Sequence, residues 1–326
     1  MSGTAASITW ESPMADNDGQ WERAVIERLA GAALQEQRRA RRWGIFFKLL
    51  AFAYVTVILL MAVDWNSRGD SGGKHTALVE VNGVIAAGAE ASAERVTAAL
   101  QAAFKDANTE GVVVRINSPG GSPVQANDIY DEMRRLRKKY PKIPLYAVAE
   151  DLCASGGYYV AAGADKIYVS RSSIIGSIGV RMDGFGLTGL MQKLGVERRL
   201  ITAGKNKGFL DPFLPLDEAQ KQHAEALLQS VHQQFIAVVR EGRGKRLKET
   251  PEIFSGLVWT GEQGIELGLA DAVGSLDYVA REVVKAEHIV DFTQKENVAE
   301  KLARRFGAGA AQALVELAQR ASLAPN

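Results

Sequence analysis

The segment Ile143-Pro-Leu-Tyr-Ala-Val-Ala-Glu-Asp-Leu-Cys-Ala-Ser155-Gly-Gly-Tyr-Tyr-Val-Ala-Ala-Gly163-Ala-Asp-Lys166-Ile-Tyr-Val169 reads as strand, sharp turn, helix, strand. A strand from Ile143 to Ala149 delivers the chain to Ser155, and two glycines let the backbone turn sharply there. The alanine-rich stretch after Ser155 is helical and ends near Gly163, before a short strand from Lys166 to Val169. The Ser155 hydroxyl therefore stands beside the first amides of a helix. Such a serine serves either as a nucleophile facing those amides or as an ordinary N-cap, and this segment alone supports both readings equally.

Upstream, the same alternation repeats. Thr76 to Ile85 reads as a strand with a turn at Asn82-Gly83, and Ser92 to Asp106 as a helix with Val96, Leu100 and Phe104 on one face. Gly111 to Asn117 is a second strand. Ser118-Pro-Gly-Gly-Ser-Pro123 then turns into a helix with Ser122 as N-cap and Pro123 in its first turn. That helix places Ala126, Ile129, Met133 and Leu136 inward and ends in Arg134, Arg135, Arg137, Lys138 and Lys139, a run expected to be a solvated helix end favoured by the macrodipole. The pattern predicts an α/β domain with a largely parallel sheet, whose sites form at the carboxyl ends of strands.

Downstream, Ser173 to Val180 is glycine-punctuated β structure. A short helix over Leu187–Leu194 and a strand over Val196–Thr202 are expected next, leading to the loop Ala203-Gly-Lys205-Asn-Lys207-Gly. Asp217 with Gln220 has the spacing of a capping box at the head of a long amphipathic helix carrying Leu227, Val231, Phe235 and Val238. Leu257 to Leu276 closes the domain.

The N-terminal part is different in kind. Residues 1–43 are polar and finish in Arg38-Arg-Ala-Arg-Arg42, after which residues 44–63 read GIFFKLLAFAYVTVILLMAV. About 20 such residues at about 1.5 Å each span a hydrocarbon core about 30 Å thick. Lys48 lies near the entry side, where its stem can return the ammonium to the headgroups, and Trp43 and Trp65 flank the segment. The arginines precede the segment, so the N-terminus is expected in the cytosol and the remainder of the chain outside it. Residues 64–75 are a Ser/Gly linker, residues 76–285 the folded domain, and residues 286–326 a helical tail.

Composition excludes several classes. A net charge of +1 gives no basic field for nucleic acid. Cys153 is the one cysteine, so no intramolecular disulfide and no multi-cysteine zinc site can form, and it reads as a small buried residue. His75, His223, His232 and His288 are scattered, which makes a metal site unexpected, and no cofactor or ATP-binding loop is evident. His223 and His232, on the long helix, are not expected to act as bases. The lysines Lys205 and Lys207 either are solvent-exposed or include a general base. A basic role requires a neutral amine, hence burial that lowers its pKa toward about 7 to 8 from about 10.4, at a cost of about 4 kcal/mol.

Four motifs taken together, Asn117-Ser-Pro-Gly-Gly121, Ala154-Ser-Gly-Gly-Tyr-Tyr159, Gly176-Ser-Ile-Gly-Val180 and Gly204-Lys-Asn-Lys207, resemble the signal peptide peptidase A family of Ser-Lys peptidases. The resemblance covers Thr76 to Val284. It implies a Clp-protease/crotonase-like fold of repeated ββα units behind one N-terminal transmembrane helix, with Ser155 as nucleophile, Lys207 as general base and Lys205 the lesser candidate. It further implies an oxyanion hole from the Gly121 and Gly156 amides, and Ser177 as the residue that orients the lysine. Family members of this length assemble as homo-oligomer rings in which neighbouring protomers share a site. The expected protein is thus a single-pass enzyme of the bacterial inner membrane, with an extracytosolic (periplasmic) catalytic domain that cleaves remnant signal peptides or other hydrophobic segments without ATP. A crotonase-like acyl-CoA hydratase or isomerase, and a catalytically silent membrane scaffold, are the rival expectations.

Overall fold

The computed structural model describes residues 17–62 and 73–294. They fall into two units, a helix and an α/β domain. The helix, α1, runs over Asn17–Ala62. It passes without interruption from the polar segment into the apolar one, and along it Ile45, Phe46, Phe47, Leu49, Leu50, Phe52, Tyr54, Val55 and Val57 all leave half or more of their surface exposed. Val63 and the side chains of residues 58–62 lie outside the described residues, as do most of the linker and the tail after Gln294. Among the described residues, no helix is long and apolar enough to cross a membrane.

The domain begins with β1 (His75–Asn82), α2 (Ala93–Lys105), β2 (Thr109–Ser118), α3 (Pro123–Lys139) and β3 (Leu145–Ala154). These match the expected alternation because each boundary is set locally. Ser92 occupies the N-cap position of α2 without a side-chain cap hydrogen bond, whereas the Ser122 hydroxyl accepts the Gln125 N–H with Pro123 at the start of α3. Ala126, Ile129, Met133 and Leu136 are all buried on α3, as their spacing requires.

After β3 come α4 (Gly156–Ala161), β4 (Lys166–Val169), β5 (Ile174–Gly176), α5 (Thr188–Leu194) and α6 (Glu218–Arg243), then β6 (Val258–Thr260), α7 (Gly261–Glu266), β7 (Ala272–Val273) and β8 (Ile289–Asp291). Asp217 caps α6 by accepting the Gln220 N–H at 2.9 Å. The strands form one sheet in the order β6-β5-β3-β2-β1-β8, parallel except for the β5–β6 pair, with β4 between β3 and β7. β8 lies beyond Lys285 yet pairs with β1 in parallel, so the sheet takes in residues that the sequence reading gives to the tail.

β3 is the branch point. On one side it pairs with β2; on the other its first half, Tyr146 to Ala149, pairs with β4 and its last residues, Leu152 to Ala154, with β5. The β2–β3 register shifts between Ile116 and Ser118, which turns the end of β3 toward β5. The fork leaves Ser155 at the rim of the sheet.

One expected strand is not formed. Val196 to Thr202 is irregular, and Ile201 is 96% exposed. Its β-favouring residues have no neighbouring strand to complete a ladder, and an unpaired strand has no stability of its own. The adjoining helix α5 forms as expected but buries no residue.

A buried ion pair ties the far side of the domain together. Arg243, 1% exposed at the end of α6, donates through Nη1 to Asp271 at 2.8 Å and through Nε to the Gly268 carbonyl. Asp271 also accepts the Ile167 N–H at 2.7 Å and an Arg246 N–H. Burial by itself would raise the Asp271 carboxyl, but Arg243, the Ile167 amide and Arg246 outweigh it and hold the group below its ordinary value. Replacing Asp271 by Asn strands the Arg243 charge, and a loss of about 3 to 5 kcal/mol is expected. Thermal unfolding should show it as a drop of about 6 to 20 °C in Tm. Because the folded carboxyl is depressed, its contribution is present above the unfolded pKa and disappears as the pH falls through the folded one. The gap between wild type and Asp271→Asn should therefore narrow in acid.

Candidate active site

Ser155 follows the last residue of β3 with φ 52° and ψ −122°, a conformation that costs a non-glycine residue about 1 to 3 kcal/mol. Its position is held by its N–H, which donates to the Gly176 carbonyl at 2.8 Å, and by its carbonyl, which accepts the Tyr159 N–H. Although Ser155 occupies the N-cap position of α4, its side chain makes no capping hydrogen bond. Among the described residues the hydroxyl has no hydrogen-bond partner, so the structure decides against the capping role left open by the sequence.

The glycine turn after β2 closes against this hydroxyl. Gly120 and Gly121 have φ of 93° and 151°, and the Ser118 hydroxyl accepts the Gly120 N–H at 3.1 Å. Ile85, just past β1, grips the turn from the other side: its N–H donates to the Gly120 carbonyl and its carbonyl accepts the Ser122 N–H. A Cβ on Gly120 would lie 2.6 Å from the Gly156 nitrogen and 2.7 Å from the Ser155 Cβ. A Cβ on Gly156 would lie 3.3 Å from the Gly121 nitrogen. The Gly121 and Gly156 amides are thus neighbours beside Ser155, and among the described residues neither has a backbone acceptor. Two such donors are what an acyl-transfer oxyanion needs.

Ser155, Gly121, Gly156 and Ser177 all line one cleft of about 940 Å³. Ser177 shares the strained φ of 52°, its N–H bonded to the Leu257 carbonyl. Apolar walls come from Val84, Val124, Val231 and Phe235. No carboxylate and no imidazole is among the described residues lining this cleft. His232 approaches from α6 but spends its Nε2 on the Ile178 carbonyl at 3.1 Å, and His223 packs edge-on against Phe209.

Lys207 is placed elsewhere. It and Lys205 are exposed in the loop after the irregular segment, and neither lines the cleft. Within one chain the structure brings together Ser155, Gly121, Gly156 and Ser177, but not the lysine. Cys153, two residues before Ser155, is fully buried, and burial pushes its thiol up to about 12, which makes it inert at neutral pH. The clamp by Ile85 was not legible beforehand; the only signal was its position directly after the Asn82-Gly83 turn.

Comparison with known proteins gives the family. Residues 137–290 match the model of peptidase family S49, and residues 80–175 match that of Clp protease, the domain type expected for this sheet. A protein named Na(+)/H(+) antiporter NhaA in Brucella melitensis is 44% identical over 177 residues, covering 54% of this chain and 24% of its own. The "Putative signal peptide peptidase SppA" of Enterococcus faecium is 30% identical over 66% of this chain and 64% of its own. A "Putative protease" of Synechocystis sp. is 34% identical over 62% of this chain and 70% of its own. The chain thus spans about a quarter of the Brucella protein and about two thirds of the other two. The match to the family model and the relative at 34% identity, of which 70% is covered, place the chain in peptidase family S49.

Proposed function

We propose that this protein is a membrane-anchored serine endopeptidase acting on hydrophobic peptide segments, such as the remnants of signal peptides. The observation that carries the reading is the strained Ser155 at the end of β3, its hydroxyl unpartnered beside the neighbouring Gly121 and Gly156 amides. In the proposed reaction Ser155 Oγ attacks a peptide carbonyl and Lys207 Nζ takes the hydroxyl proton. The two amides hold the resulting oxyanion, the C–N bond breaks as the lysine protonates the departing amine, and water hydrolyses the acyl-enzyme. Among the described residues the cleft lining holds no carboxylate and no imidazole, which supports a lysine base and counts against the acyl-CoA hydratase reading, which needs an acidic acid/base.

The lysine is proposed to come from a second copy of the chain in a homo-oligomeric ring. Lys207 is exposed and outside its own cleft, while the stretch around it bares Phe185, Leu194, Val196 and Ile201. A neighbour covering these side chains would also supply the burial that a neutral amine needs. Ser177, in the cleft with Ser155, is the residue proposed to receive and orient it. The anchor is proposed to be residues 44–63, supported by the exposed apolar surface all around that part of α1 and by the arginines before it. The bulk of the chain then lies outside the cytosol, at the plasma membrane.

The test is covalent. A fluorophosphonate probe added to the detergent-solubilised full chain should label the wild type and leave Ser155→Ala unlabelled. An unlabelled wild type, or equal labelling of the variant, would refute the nucleophile assignment. The first of those results would favour the catalytically silent scaffold.

A further inference from the structure

The basic run that ends α3 also lines a concavity. A second cleft, of about 680 Å³, opens at the amino-terminal edge of β3 and β4. Arg134, Arg137 and Lys138 of α3 form one wall, Lys142 the connecting loop, and Lys166 the start of β4. Against these five cations the lining holds one acid, Asp165.

Its carboxylate is already committed. One oxygen pairs with Arg137 and the other accepts the Leu145 N–H at 2.8 Å. Arg134 is likewise matched, by Glu241. Among the described residues, Lys138, Lys142 and Lys166 have no ion-pair partner, and the Tyr146 hydroxyl in the same lining has no hydrogen-bond partner. The platform beneath them is fixed. Pro141 and Pro144 bracket the loop, the Ile143 N–H donates to the Tyr140 carbonyl, and the Pro144 carbonyl accepts the Val112 N–H at 2.9 Å. Three exposed ammonium groups without ion-pair partners thus line one concavity, whose volume suits a small ligand far better than a duplex.

We infer that this cleft binds a phosphate-bearing anion, held by Lys138, Lys142 and Lys166 with the spare guanidinium N–H groups of Arg134 and Arg137 and the Tyr146 hydroxyl. Ammonium and guanidinium donors on several sides, with a phenol, suit the tetrahedral array of phosphate oxygens. The site is separate from the nucleophile. Tyr146 stands level with Val113 near one end of β3 and Ser155 follows its other end, where Cys153 is level with Ser118, which puts them about 20 Å apart at about 3.3 Å per residue. A phospholipid headgroup and a soluble phosphate ester share this chemistry.

Calorimetric titration of the full chain in a non-ionic detergent separates the two sources. The probes are inorganic pyrophosphate, dihexanoylphosphatidylglycerol, dihexanoylphosphatidylcholine and hexaglutamate. Binding of pyrophosphate or of the phosphatidylglycerol is expected, weakened at least tenfold in Lys138→Ala/Lys142→Ala/Lys166→Ala. A control triple with the same charge change, Lys105→Ala/Lys221→Ala/Lys245→Ala, should bind within about twofold of wild type. Pyrophosphate alone binding identifies a soluble ester as the source, and phosphatidylglycerol alone identifies a headgroup. If the triple variant does not fold, Lys166→Ala alone should weaken binding at least threefold. The inference is overturned if neither phosphate probe binds, if the triple variant binds as tightly as the wild type, or if hexaglutamate binds as tightly as pyrophosphate.

Discussion

A Lys207→Ala variant should hydrolyse a peptide ester at least about 10⁴-fold more slowly than the wild type, and Ser155→Ala should match it, because nucleophile and base act as one unit. The structure adds a result that neither substitution gives alone. Ser155 lines the cleft and Lys207 does not, so a complete site is proposed to need two chains. If the two inactive variants are mixed in equal amounts, unfolded and allowed to reassemble, a site between neighbours draws its serine from one chain and its lysine from the next. Each choice is right half the time, and about a quarter of wild-type activity should return in a randomly assembled ring. A site completed within one chain would return none, because every chain in the mixture lacks one partner. Zero recovery from a mixture shown to co-assemble would overturn the shared site while leaving the dyad standing. Full activity in Lys207→Ala by itself would overturn the dyad.

What was legible in the sequence was whatever short-range chemistry fixes. The start of α3 was readable because the Ser122 cap and Pro123 act within one turn, and the start of α6 because Asp217 reaches only to Gln220. The strands β1 to β4 were readable from apolar runs between turn residues. The irregular stretch Val196 to Thr202 was misread because its residues favour a strand while the partner a strand needs lies nowhere near it in the described chain. The fork of β3, the grip of Ile85 on the glycine turn and the pairing of Arg243 with Asp271 were illegible for the opposite reason. Each joins residues tens of positions apart whose side chains or backbone groups carry no local signature. The same holds for the second cleft. Lys138 reads as a solvated helix end, and nothing local shows that it shares a cleft with Lys166, 28 positions on.

The candidate site was legible as a set of residue types, and its geometry makes a further prediction at a residue with no functional group. Gly120→Ala should cost at least about 10²- to 10³-fold in kcat, the range seen when one oxyanion donor is lost. The cause would be steric. With φ at 93°, Gly120 holds a conformation that an L-residue rarely adopts, and its new methyl would sit 2.6 Å from the Gly156 nitrogen, on the donor itself. The Ser118 hydroxyl and Ile85 fix the turn on both sides, so the methyl cannot be relieved by a small backbone shift. Gly204→Ala serves as the contrast. Gly204 also has a positive φ, 102°, but a Cβ there meets nothing within 4 Å, so its strain is not accompanied by a blocked donor. Fluorophosphonate labelling and ester turnover should both collapse in Gly120→Ala while thermal unfolding shows a folded domain. If Gly120→Ala instead keeps near wild-type turnover, the Gly156 amide does not face the reacting carbonyl, and the oxyanion hole proposed here is wrong.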